Sequence, residues 1–159
     1  HIGRLKYLDR ICEEFAKVEI YGSCGSLTEN IAKKYMGRGT YNDREYARIV
    51  ARSKISFGYS DFGVGVPLYS YPNRVVHVLG FGGFLMYNRI PILGRDFQDI
   101  EHLVMYENVD ECIMLMKYYL DNDSQRTNIA FNGREFVHNN YTWVKSLDQI
   151  FFIVGKGSV

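Results

Sequence analysis

Arg74 and His77 are the residues of this 159-residue chain that type and spacing best suit to a ligand. They are three apart on a predicted short helix and share one side of it, while Val75, Val76 and Leu79 form the apolar side. Pro72 suits the first turn of that helix, where its missing N–H costs nothing, and Ser70 can accept from the free N–H groups. A helix start that carries a cation and follows a glycine-containing loop suits an anion such as a diphosphate, and Asn73 sits at the same start. The loop itself, residues 60–71, is long for a connection between a strand and a helix and carries Ser60, Asp61 and Tyr71. It follows the C-terminal end of a predicted strand, the edge at which open α/β sheets bind ligands. A weaker candidate turn begins where Gly22 ends a predicted strand and Ser23-Cys24-Gly25-Ser26 forms a small polar loop. It lacks the G-x-G-x-x-G spacing of dinucleotide sites, so an ordinary tight turn is the plainer reading.

The elements that must hold these residues alternate. Residues 3–16 read as an amphipathic helix with Leu5, Leu8, Ile11, Cys12 and Phe15 on its apolar side. Strands are predicted over 17–21, 54–59, 84–87 and 102–106, with a helix over 27–35 and a loop at 37–39. Asn42 and Glu45, and again Asn108 and Glu111, have the spacing of a capping box at the start of a helix. Gly80, Gly82 and Gly83 end the helix that carries Arg74 and let the backbone turn into the apolar run 84–87. A short helix is predicted around 97–99, and further helices over 109–119, 125–138 and 141–152. Strands alternating with helices predict an α/β fold, a Rossmann-like parallel sheet with helices on both faces. One domain is expected over residues 1–154, with 155–159 as a frayed tail.

Composition narrows the function classes. The apolar fraction of 47% supports a sizeable core, and 13 tyrosines leave some to line a pocket. A net charge of +1 gives no global electrostatic support for a nucleic-acid partner or an anionic membrane. No apolar run is long enough to span a bilayer. Cys12, Cys24 and Cys112 lack metal-type spacing; Cys12 and Cys112 fall in apolar helical patterns, as small core residues do. An odd cysteine count favours a reducing compartment, so the expected location is the cytoplasm.

Two blocks of the chain resemble a known family. The stretch Asn73-Arg74-Val75-Val76-His77-Val78-Leu79-Gly80-Phe81-Gly82-Gly83-Phe84-Leu85 is similar to the N-R-x-F-E-x-x-A-C-G-x-x-L signature of GT-B-fold glycosyltransferases. The nearest type is group 1 with CgeB-like (spore maturation protein) C-terminal domains. The second block runs from Tyr106-Glu107-Asn108 to Leu120. It continues through Arg126-x-x-Ile129-Ala130-x-x-Gly133-Arg134-x-x-Val137 and ends at Tyr141-Thr142-Trp143. The resemblance implies the C-terminal, nucleotide-sugar-binding half of a GT-B fold, with its first strand missing here. It implies that Arg74 and the helix start face the nucleoside diphosphate, and that Arg4 stands near the place of a second diphosphate-contacting arginine. The position of His77 is that of an acid which holds the ribose hydroxyls in the family; this chain departs from the pattern there. The family implies no metal or other cofactor for the chemistry, and a separate N-terminal domain for the acceptor.

The expected function is therefore donor binding in the transfer of a sugar from a nucleoside-diphosphate sugar, with Gly22, Ser23, Ser60, Asp61, Tyr71, Asn73, Arg74, His77 and Arg4 as candidate contacts. No catalytic residue is identified. Without the acceptor domain the chain alone is expected to be inactive in transfer. The alternative, motivated by His77, is a non-catalytic Rossmann-like interaction module that has lost donor binding.

Overall fold

The computed structural model describes residues 2–21, 42–60 and 71–156. In chain order they form α1 (Ile2–Glu14), α2 (Asp43–Arg52), β1 (Ser56–Gly58), α3 (Arg74–Gly80), β2 (Leu85–Asn88) and α4 (Pro91–Asp96). Then follow β3 (Val104–Tyr106), α5 (Val109–Asp121), α6 (Asp123–Asn140) and α7 (Trp143–Lys156). The strands make one parallel sheet in the order β1-β2-β3, with Phe57 opposite Met86 and Tyr87 opposite Met105. The fold is α/β, a Rossmann-like parallel sheet flanked by helices.

The period of two along each strand divides the interior into two cores. Leu85 and Tyr87 of β2 and Met105 of β3 face one side, where they pack with Val50 of α2, Val75, Val78 and Leu79 of α3, Leu93 of α4 and Val137 of α6. Phe84, Met86, Val104 and Tyr106 face the other side, against Ile11 of α1, Cys112 and Met116 of α5 and Ile129 of α6. Strand β2 is covered on both faces, which explains its unbroken apolar run. Helix α7 presents Trp143, Val144, Ile150 and Phe151 to solvent, and none of its described side chains joins either core.

The first capping box forms in full: Asn42 Oδ1 accepts the Glu45 N–H at 3.0 Å and Glu45 Oε2 accepts the Asn42 N–H at 3.3 Å. The second forms by half. Asn108 Oδ1 accepts the Glu111 N–H at 3.0 Å, but the Glu111 carboxylate takes the Glu107 N–H at 2.7 Å instead.

Several expectations need correction. Residues 17–21 form no strand; Val18 packs on the second core, and Glu19 and Tyr21 bind Arg52 of α2, with the Arg52–Glu19 pair at 2.8 Å. The described sheet accordingly has three strands. The helix expected around 97–99 lies instead at Pro91–Asp96, opened by Pro91 in its first turn, and Phe97 is extended. The strand expected over 102–106 starts at Val104 and leaves His102 in a turn. Cys112 is buried, but Cys12 is exposed; the inward residues are Tyr7 and Ile11 on α1 and Phe15 just after it, four apart. The helix predicted over 27–35, the loop at 37–39, the turn with Gly22 and Ser23, and Asp61 and Ser70 lie outside the described residues.

Candidate functional site

The C-terminal end of β1 is held by side chains from three other elements. Tyr106 on β3 donates its hydroxyl to the Gly58 carbonyl at 2.7 Å. Burial pushes that hydroxyl's pKa well up, so it is a permanent donor. Arg4 on the first turn of α1 donates from Nη2 to the Tyr59 carbonyl at 3.0 Å. The Ser60 N–H donates to Asn88 Oδ1 at 2.8 Å, and Asn88 Nδ2 donates to the Ser60 carbonyl at 3.0 Å. The Ser60 hydroxyl lies 2.5 Å from the Tyr87 hydroxyl and is buried. Each of residues 58–60, from the last pair of the ladder onward, is thus tied by a side chain, which fixes the backbone where β1 leaves the sheet.

Close packing sets the same point. A Cβ on Gly58 would lie 2.3 Å from the Tyr87 ring, so only glycine lets that tyrosine cross beneath β1 to reach Ser60. Tyr7 of α1 packs its ring at a tilt against Tyr59 at 4.7 Å and against Tyr106 at 5.6 Å, which holds the start of α1 over β1. Helix α3, the next described element, packs on one face of the sheet and α1 on the other. Open parallel sheets bind ligands outside the C-terminal ends of their strands, and this is such an end.

Arg74 begins α3, which runs back from this edge and returns the chain to β2. Arg74 is half-buried, and among the described residues it has no hydrogen bond or ion pair. Arg89, which follows β2 at the same edge, differs: it pairs with Asp99 and, at 2.6 Å, with Glu107, and those carboxylates hold its pKa up. A guanidinium already matched by two carboxylates offers little to a third anion. The helix start offers less than its sequence suggests. Asn73 is in the helical region and makes no side-chain cap, and the Val75 N–H is taken by the Pro72 carbonyl at 3.0 Å.

The candidate residues therefore fall into separate groups. Arg4 lies on the Tyr59 carbonyl beside Ser60, at the end of β1. Asn73 and Arg74 open α3. His77 sits in the last turn of that helix, exposed, with its ring 6.2 Å from Phe81 and 6.4 Å from Tyr46. Tyr71 turns into the first core, where its hydroxyl donates to that of Tyr141 at 3.0 Å and its ring meets Phe97 edge-on. Burial and the Tyr141 contact push its pKa up, and its place in the packing leaves its ring little to give a ligand. Asn88, Tyr87 and Tyr59 were missed; an amide directly after a buried apolar run, at a sheet's C-terminal edge, was the available signal for Asn88.

Among the described residues no group of histidines, cysteines and carboxylates has metal-site geometry, and no helix is long and apolar enough to cross a membrane. No curated protein matches the chain. A family profile described as glycosyl transferase-like matches residues 4–151, which takes in both cores and the whole of the edge just described. The chain belongs to the glycosyl transferase-like family.

Proposed function

We propose that this glycosyltransferase-type domain binds the donor, a nucleoside-diphosphate sugar, at the C-terminal edge of β1, as the C-terminal half of a GT-B enzyme of the group 1, CgeB-like type. The observation that carries the reading is the fixed backbone at residues 58–60, flanked by Arg4 and followed by Arg74 at the start of α3. A leaving diphosphate gains charge as the glycosidic bond breaks, and prearranged cations and N–H groups lower that barrier. Arg74 is assigned to the diphosphate because no described carboxylate neutralises it. Arg4 is assigned to the same group from the other face. Ser60 and Asn73, with Gly22, Ser23 and Asp61, are proposed as further donor contacts. No metal is required in this reading.

His77 is proposed to face the ribose, where its ring N–H can donate to a hydroxyl. It is also the residue that favours a second reading, a non-catalytic interaction module, because its ring stands beside the rings of Phe81 and Tyr46. In the leading reading the acceptor is held by a separate N-terminal domain, so these residues hold the donor without aligning an acceptor hydroxyl, and the proximity contribution to transfer is absent. Titration with UDP and GDP tests the two readings: a ligand that binds only the folded state raises the melting temperature, and the module predicts no change.

A further inference from the structure

We propose that Asn88 is a positioning residue for the donor site: it fixes Ser60 at the ligand edge and, through Ser60, the place at which the nucleoside diphosphate is met. This rests on the donor-site reading above. The ladder between β1 and β2 ends at the pair Gly58 and Tyr87. Two residues beyond β1, the Asn88 side chain takes over the work of a strand backbone. Its amide offers one acceptor to the Ser60 N–H at 2.8 Å and one donor to the Ser60 carbonyl at 3.0 Å. Those two partners also fix which way the amide points, since only one orientation satisfies both.

The adjacent residue, Tyr87, holds the Ser60 hydroxyl at 2.5 Å, so consecutive residues of β2 grip the backbone and the side chain of one buried serine. Ser60 is thereby set against Tyr59, whose carbonyl Arg4 holds. Asn88 need not touch the ligand; it fixes the backbone at the edge where the donor is proposed to bind.

A carboxyl group at this position gives a reversible test. Ionised, it accepts from the Ser60 N–H but repels the Ser60 carbonyl; protonated, it donates and accepts like the amide it replaces. UDP and GDP binding is measured by calorimetry for the wild type, Asn88→Asp and Asn88→Leu, with circular dichroism to show that each is folded. The comparison runs from about pH 8 to about pH 4.5, where a half-buried carboxyl facing a carbonyl is largely protonated.

Relative to wild type at each pH, Asn88→Asp binds about tenfold more weakly at the upper pH and recovers most of that loss at the lower one. Asn88→Leu, of similar size but with neither donor nor acceptor, is weak at both. A purely structural role predicts no such recovery of affinity in folded protein. Wild type that binds while Asn88→Asp loses nothing, or loses the same at both pH values, overturns the role of Asn88 alone. Wild type that binds neither nucleotide at millimolar concentration overturns the donor site and the positioning role with it.

Discussion

Ile100 holds a left-handed backbone conformation, with φ 65°, in the turn that carries the chain from Asp99 to Leu103. A β-branched side chain is costly there, and at 62% exposure it gains little from packing in return. Ile100→Gly should raise stability by about 1 kcal/mol, read as a higher melting temperature; an unchanged or lower one would mean that the turn is not strained. His102, in the same turn, is buried against Phe136 at 4.1 Å, and its Nδ1 accepts the Gln98 N–H at 3.1 Å. Burial holds its pKa below the ordinary histidine value, with Glu101 beside Nε2 opposing that shift. As pH falls, the unfolded chain takes up the proton first, so stability rises with pH in this window. The His102 contribution is complete above the unfolded value of about 6.5 and declines below it, through the lower folded value. Melting curves between about pH 8 and about pH 5 should slope less for His102→Gln than for wild type; equal slopes would assign the acid sensitivity to other groups.

At the scale of elements, Gly133 shows how contact between elements overrides local propensity. In the middle of α6 a glycine costs about 1 kcal/mol against alanine. A Cβ there would lie 2.3 Å from the His102 carbonyl and 3.0 Å from Leu79. The glycine lets α6 approach the turn before β3 and the helix that carries Arg74. Gly133→Ala should therefore destabilise by about 1–3 kcal/mol despite the better helix former, as denaturant midpoints would register; a gain would show that the helices can separate without penalty. The capping boxes and the apolar run of β2 were legible because their signals are local. Residues 17–21 were misread because an extended apolar pattern does not say whether a ladder partner exists; here side chains reach Arg52 and the core instead. The six-residue α4 was misplaced because Pro91 marks its start more strongly than any periodicity marks its length.

For the whole molecule, the alternation of strands and helices gave the layered architecture, since each element must bury one face and parallel strands need crossovers. The candidate site was legible in outline. Arg4 meets the Tyr59 carbonyl, next to Ser60 and 55 positions away in sequence, and the family resemblance rather than spacing drew attention to Arg4. Tyr71 could not be sorted from sequence, since a tyrosine in a loop suits a pocket or a core equally well. The hold on residues 58–60 was not legible at all, because it depends on side chains from α1, β2 and β3 that only the folded sheet brings together.

The most direct test of the donor site is calorimetric titration of wild type and Arg74→Ala with UDP and GDP and with the parent nucleosides. Diphosphates should bind wild type more tightly than nucleosides. Arg74→Ala should lose about 1–3 kcal/mol for the diphosphates and little for the nucleosides, because a guanidinium meets phosphate and not base. No binding of either diphosphate at millimolar concentration, or an equal loss for nucleoside and diphosphate, would contradict a donor site at this edge.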